Sequence, residues 1–173
     1  VKNSDNNENC SNTNEEVDVE KKIPHRSFRE GSGLHDIGLI RLIRSVQYSE
    51  YIRPICLPLS INPGISLYED MVLSGWTLLN KTTVTKKKIL LNLMDYEKCK
   101  VIHLNFTIVV TPLNVCATGN EKHNCQEDSG GPLIFSRNGQ WEQIGILSFA
   151  KDCGSTFPSV YTITSEYLRW LQQ

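Results

Sequence analysis

Short apolar segments, each too brief to be a typical helix, recur along this chain of 173 residues. They are rich in branched and aromatic side chains, and clusters of Gly, Pro, Asn or Lys lie between them. Segments of this kind predict β-strands separated by turns. Their spacing predicts a mostly antiparallel β-protein, either a sandwich or a barrel. The segments are Asp36–Ile43, Met71–Trp76, Ile89–Met94, Pro132–Ser136, Ile144–Phe149 and Val160–Ile163.

The remaining segments predict loops and two short helices. Residues 1–19 are polar and predict a surface loop. Two prolines make Pro54–Pro58 an extended segment, because proline interrupts a helix. Asp95–Lys100 predicts a helix that begins with a capping side chain, and Thr164–Leu171 predicts a terminal helix behind a Thr/Ser cap.

The charge balance argues against nucleic acid or an anionic membrane as a partner. The chain has 18 basic and 19 acidic side chains, and Lys86–Lys88 is interpreted as part of a solvated loop. No apolar run approaches the roughly 18 residues that span a bilayer. Val1 opens a polar segment with neither an initiator Met nor a signal peptide, so we expect an N-terminally truncated sequence.

Six widely spaced cysteines indicate disulfides in an oxidising compartment, since they do not form the close pairs of a zinc site. Three Asn-x-Ser/Thr sequons, at Asn9, Asn80 and Asn105, are candidate glycosylation sites and agree with secretion. We therefore expect a secreted, extracellular protein, and we predict no metal and no cofactor. The cysteines are Cys10, Cys56, Cys99, Cys116, Cys125 and Cys153.

The segment Asp128-Ser129-Gly130-Gly131 is the strongest candidate for chemistry. A serine between an aspartate and two glycines suggests a tight turn that exposes the hydroxyl and leaves nearby N–H groups free. A nucleophile with an oxyanion hole needs both properties. Taken alone, the tetrapeptide fits a Gly-rich surface loop equally well.

The stretch Asn124–Leu133 around this tetrapeptide resembles the nucleophile motif of the chymotrypsin-like serine proteases, and further motifs resemble that family in its order. The similarity covers residues 20–173 and is greatest to arthropod clip-domain proteases. It implies an all-β, chymotrypsin-like double β-barrel with an incomplete N-terminal barrel and a C-terminal α-helix. Residues 20–62 would be the rest of the first barrel with the crossing between barrels, and residues 63–173 the second barrel with the helix. The further motifs are His35–Leu42, Pro54–Pro58, Ser74–Trp76, Ser148–Ala150, Pro158–Thr162 and Tyr167-x-x-Trp170.

The resemblance also implies a role for individual residues. Ser129 would be the nucleophile and Asp36 the carboxylate that orients the base. The N–H groups of Glu127 and Ser129 would form the oxyanion hole. Asp128 would pair with the new amino terminus that activation of a zymogen creates.

The same resemblance implies a disulfide framework. Cys99–Cys116 and Cys125–Cys153 would be the disulfides of the second barrel. Cys56 would tether an upstream propeptide or clip segment, and Cys10 would also pair upstream. Met71 and Phe135 stand where relatives often have a further disulfide, so we expect both in the core.

Several positions depart from the family pattern. None of the histidines has the context of the catalytic base. His25 and His103 are interpreted as surface residues, and His35 is expected to point away from Ser129, because neighbours on a strand face opposite sides. Without an imidazole the serine is a poor nucleophile, so the chain alone is predicted to be nearly inert.

The residues expected in the oxyanion hole and in the specificity pocket also depart from the family pattern. Glu127 replaces an expected glycine. His123 stands at the expected base of the pocket, which Ser148 would line, and Ala150 and Ser159 would narrow it. Cleavage after basic residues is therefore not supported; His123 is equally compatible with an ordinary chymotrypsin-like or elastase-like preference.

Two functions follow. The first is a secreted, zymogen-derived serine endopeptidase of an extracellular cascade, with protein substrates and serpin-type inhibitors as partners. The alternative is a catalytically impaired homologue that acts as a binding or regulatory module. Asp36 and Ser129 favour the first; Glu127, His123 and Ser159 favour the second.

Overall fold

The structure is a computed structural model that describes residues 15–58, 70–79, 83–119, 128–151 and 157–172. It is mostly β, which confirms the predicted fold class. In chain order the elements are β1 (Val19–Pro24), β2 (Gly38–Leu42), β3 (Asp70–Leu79), β4 (Thr83–Met94), α1 (Tyr96–His103), β5 (Asn114–Thr118), β6 (Pro132–Arg137), β7 (Gln140–Phe149), β8 (Ser159–Ile163), a 3₁₀ helix (Thr164–Tyr167) and α2 (Leu168–Leu171).

Strands β3 to β8 form a closed barrel in the order β3-β4-β5-β8-β7-β6, and each neighbouring pair is antiparallel. Alternate side chains of a strand point to opposite faces. In β4, accordingly, Ile89 and Leu91 are buried in the barrel, whereas Leu90 between them is 64% exposed. Met71 lies in the same core and Phe135 packs against it, as expected from their apolar character.

The first part of the chain is a smaller unit that contacts this barrel. β1 and β2 form a two-stranded antiparallel sheet. The segment that follows is extended, as the prolines predicted: the Cys56 N–H donates to the Trp141 carbonyl at 3.3 Å, and the Gln143 N–H donates to the Cys56 carbonyl at 2.9 Å. The predicted boundaries at residues 19, 20, 62 and 63 remain predictions.

The two helices differ in how well the sequence predicted them. The Asp95 side chain caps α1 by accepting from the Lys98 N–H at 3.0 Å, as predicted. The terminal helix begins as a 3₁₀ turn, and its predicted cap is wrong: Ile163 stands at the cap position, and no side chain makes a capping hydrogen bond. Thr164 and Ser165 are instead buried, at 2% and 3% exposure.

Three predictions about the strands are corrected. The aspartate strand begins at Gly38 and not at Asp36, and β1 begins at Val19, which the sequence had assigned to the polar loop. Lys86–Lys88 lies in β4, so the predicted loop there is wrong, although the side chains of Lys86 and Lys88 are exposed as expected. A strand with one face in water accommodates such charges. β5 was not predicted at all.

Within the described residues, no helix is long and apolar enough to cross a membrane.

Candidate active site

Asp36 lies in the short segment that leads into β2, and the barrel holds it at two points. Its carboxylate accepts a hydrogen bond of 2.7 Å from the Ser148 hydroxyl. Its backbone carbonyl accepts one of 2.9 Å from the Thr162 hydroxyl. Ser148 comes from β7 and Thr162 from β8. Two neighbouring strands of the barrel therefore fix both the backbone and the side chain of Asp36.

Ser129 occupies an exposed turn before β6. Gly130 follows it with φ of +82°, a conformation that favours glycine. The turn is fastened to β7, because the Gly130 N–H donates to the Leu147 carbonyl at 2.9 Å and the Leu147 N–H donates to the Gly131 carbonyl at 2.9 Å. The predicted tight turn with an exposed serine is confirmed.

Strand β7 brings these two segments together. Leu147 binds the turn that carries Ser129, and Ser148, the next residue, binds the Asp36 carboxylate. Asp36 and Ser129 therefore lie at the same end of β7, although 92 residues separate them between positions 36 and 129.

Asp128 is buried, at 4% exposure, next to β3. A Cβ atom on Gly75 would lie 2.1 Å from an Asp128 carboxylate oxygen, so only glycine fits at position 75. Burial raises the pKa of Tyr161, and the Asp128 charge raises it further. The glycine of the Ser74-Gly75-Trp76 motif thus has a structural reason: it makes room for the Asp128 carboxylate next to the serine turn. Pairing of Asp128 with a new amino terminus remains a prediction.

The predicted pocket residues are only partly described. Ala150 and Ser159 are buried, at 8% and 6% exposure. The Ser148 hydroxyl is engaged by Asp36, a role that its place in the motif did not reveal. His123 and Glu127 lie outside the described residues, so the pocket and the oxyanion hole remain predictions. Thr162 is a further residue of the site that the sequence does not mark, because its hydroxyl is one of many in strands.

The disulfide framework is confirmed in one part. Cys99 and Cys116 form the predicted disulfide, with their Cα atoms 6.3 Å apart. Cys10, Cys125 and Cys153 lie outside the described residues. Cys56 has a free thiol among the described residues.

His103 and His25 are less exposed than the sequence predicted. His103 is not on the surface: it is 2% exposed, its Nδ1 lies 2.9 Å from the Cys99 carbonyl oxygen, and aromatic rings surround it. α1 packs its last turn inward, which is why the surface interpretation is wrong. His25 is half-buried and stacks on His35. No hydrogen bond joins these three rings to Asp36 or Ser129 in the described part of the chain.

His35 lies in a turn and not in the strand that the sequence predicted, and its orientation relative to Ser129 remains a prediction. It precedes β2, has φ of +53°, and its Nδ1 lies 3.0 Å from the Tyr167 hydroxyl.

Asn105 is exposed in the turn after α1, whereas Asn9 and Asn80 lie outside the described residues. Among the described residues, no three His, Cys, Asp or Glu side chains are grouped as a metal site would require.

A closed antiparallel barrel that carries a serine in a Gly-rich turn, with an aspartate bound to the strand that holds this turn, is typical of a chymotrypsin-like serine protease domain. The chain belongs to the trypsin family, whose family model matches residues 1–171. That match begins before residue 20, where the similarity of the motifs begins.

The chain is similar to arthropod proteases. It is 32% identical to phenoloxidase-activating factor 3 of Holotrichia diomphalia, over 95% of this chain and 49% of that protein. It is 34% identical to the clotting factor G beta subunit of Tachypleus tridentatus, over 94% of this chain and 57% of that protein. It is 32% identical to the CLIP domain-containing serine protease B15 of Anopheles gambiae, over 95% of this chain and 50% of that protein. The chain therefore spans about half the length of these curated relatives.

Proposed function

We propose that the protein is a serine endopeptidase in which Ser129 attacks the peptide bond and Asp36 orients the base. The observation that carries the proposal is the pair of consecutive residues in β7, Leu147 and Ser148, which hold the serine turn and the aspartate. A reaction between groups far apart in the sequence requires such fixed positioning.

The base would be a histidine that a longer form of the protein supplies, because the three described rings are engaged elsewhere. It would take the proton of the Ser129 hydroxyl as that oxygen attacks the substrate carbonyl, and later give it to the leaving amine. The Asp36 carboxylate, held by Ser148, would orient the imidazole. Backbone N–H groups of Glu127 and Ser129 would bind the oxyanion.

The wider function is an extracellular proteolytic cascade. The Cys99–Cys116 disulfide supports an oxidising compartment and hence secretion. Relatives bear names such as phenoloxidase-activating factor and clotting factor subunit. We expect a zymogen that is activated by cleavage, protein substrates, inhibition by serpin-type proteins, a propeptide tethered through Cys56, and a glycan on the exposed Asn105.

Labelling with a fluorophosphonate tests the proposal, because this probe reacts with an activated serine. The full-length protein, after activation, should be labelled at Ser129, and Ser129→Ala should abolish the adduct seen by mass spectrometry. Ser136→Ala is the matched control, since Ser136 is exposed on the neighbouring strand β6. Labelling at other serines, or none in a folded and activated protein, would contradict peptidase activity.

The alternative is a protease homologue that no longer cleaves and serves as a binding or regulatory module. Glu127 favours it, because loss of one oxyanion donor typically lowers turnover by about 10²–10³. If the wild type is unlabelled but Glu127→Gly is labelled at Ser129, the impaired homologue is the correct function.

A further inference from the structure

Two stacked imidazole rings lie next to the segment that carries Asp36. The ring centroids of His25 and His35 are 4.9 Å apart, and the ring planes differ by 16°. The C-terminal helices supply further aromatic contacts: the centroid of the His25 ring lies 5.1 Å from that of Trp170 and 5.4 Å from that of Tyr167. All four side chains line a cavity of about 320 Å³.

The hydrogen bonds of this cluster define a neutral state of His25. The Ser27 N–H donates to His25 Nδ1 at 3.2 Å, so this nitrogen carries no proton. The Tyr167 hydroxyl lies 3.0 Å from His35 Nδ1. Burial raises the pKa of Tyr167, and the charges of Glu166 and Asp36 raise it further. The phenol therefore keeps its proton at neutral pH.

The contact with Tyr167 bears directly on the backbone that presents Asp36. His35 has φ of +53°, in the left-handed region that favours glycine over other residues. Its carbonyl accepts from the Ile37 N–H at 2.8 Å, which closes a tight turn around Asp36. The bond between His35 and Tyr167 anchors the first residue of this turn to the C-terminal helices.

We propose that His35 and Tyr167 are positioning residues for Asp36, and that His25 makes this positioning dependent on pH. The rings stack while His25 is neutral. Protonation of His25 places a positive charge against the His35 ring and next to Arg26, removes the Nδ1 acceptor for Ser27, and loosens the C-terminal helices from the Asp36 turn. We call the contact of His25, His35 and Tyr167 that holds the Asp36 turn the latch. The consequence for catalysis rests on the proposed function, whereas the latch itself does not.

Burial and the charged groups around His25 together determine the sign of the effect. Arg26 lies in the turn of His25, Glu166 and Arg169 face the cavity from the C-terminal helices, and Asp36 follows His35. Burial lowers the pKa of His25 from 6.5, and His35 and Arg26 lower it further. A histidine whose pKa is lower in the folded than in the unfolded protein contributes its full stabilisation at pH values above its unfolded pKa. That contribution is lost as the pH falls below 6.5 and through the folded value.

Hydrogen exchange of the full-length protein at about pH 7.5 and about pH 5.5 tests the latch across the titration range of histidine. After correction for intrinsic rates, protection of the amides of His25, Ile37 and Gln172 should fall on acidification. The amide of Leu147 in β7 should keep its protection. Equal loss at Leu147 would mean global destabilisation and would overturn the proposal.

Two variants separate the latch from a merely structural contact. His25→Phe keeps an aromatic ring against Trp170 but takes no proton. His35→Asn tolerates the left-handed backbone and can accept from Tyr167, but does not titrate. Both variants should retain at acidic pH the protection that they show at neutral pH. Acid loss as large as in the wild type would contradict the proposal.

A third measurement needs no variant. Carbon-13 NMR of the imidazoles in the wild type should show that His25 takes up its proton at lower pH than an unfolded histidine, and titration at the ordinary value would contradict the latch.

None of these readouts requires activity, so pH-dependent protection in a protein that fluorophosphonate does not label would refute the proposed function alone. In a labelled protein, the ratio of the His35→Asn labelling rate to the wild-type rate should rise as the pH falls.

Discussion

At the scale of single residues, the site depends on hydroxyl groups whose importance no motif reveals. Ser148 and Thr162 hold Asp36 through its carboxylate and its carbonyl. The resemblance identified Asp36 and Ser129, because the residues around them form recognisable motifs. It could not give the partners of Asp36, since those depend on where β7 and β8 pass the turn before β2.

Ser148→Ala tests this arrangement. A hydrogen bond to a charged group contributes about 1.5–3 kcal/mol, so its loss should misorient Asp36 and slow fluorophosphonate labelling of Ser129 by at least about tenfold. The labelling rate of the activated full-length protein is the measurement. Ser136→Ala, on the exposed face of β6, should leave the rate unchanged. An unchanged rate in Ser148→Ala would show that this bond does not position the carboxylate.

At the scale of elements, the barrel strands were predictable and several other elements were not. Apolar residues that alternate into one closed core, such as Ile89 and Leu91 in β4, give a signal that a single sequence carries. β1 was missed because its residues are largely charged and exposed. β5 was missed because it is short and contains small residues.

The burial of His103 also could not be predicted from the sequence of its own helix. A histidine at the end of a polar helix indicates solvent, yet Phe106 from the loop after α1 and Phe157 from the segment before β8 lie against its ring. That packing depends on residues distant in the sequence, and the helix pattern alone does not contain it.

The contact between β3 and the serine turn gives a prediction at this scale. Gly75→Ala would place a methyl group 2.1 Å from the Asp128 carboxylate, so the turn must move. Overpacking of this kind costs about 1–3 kcal/mol, which thermal or denaturant unfolding would measure. Gly38→Ala in β2 is the control, because the nearest atom to its Cβ is a carbonyl oxygen at 3.5 Å, an ordinary contact. Equal stability of the two variants would contradict the close approach.

At the scale of the whole molecule, the described chain pairs a closed barrel with a two-stranded sheet. Val19, Ile40 and Ile43 on or next to that sheet are exposed, at 46%, 64% and 57%. An isolated two-stranded sheet is marginally stable, and exposed apolar edges favour aggregation. The resemblance anticipated this imbalance, because it assigned residues 20–62 to only part of a barrel.

Residues 1–173 expressed alone should therefore aggregate or stay partly unfolded. Size-exclusion chromatography with light scattering, together with thermal unfolding, would measure this. A monomeric elution volume and a sharp cooperative transition would refute the expectation and would show that the barrel alone stabilises the chain.

The central claim is that Asp36 and Ser129 share one active site with an imidazole between them. The most direct measurement is the distance from the Ser129 hydroxyl oxygen to the Asp36 carboxylate in an experimental structure of the activated full-length protein. Two hydrogen bonds across an imidazole ring predict about 7–8 Å, with a histidine ring in the gap. A separation well beyond one ring, or a Ser129 hydroxyl buried under unrelated side chains, would contradict the account.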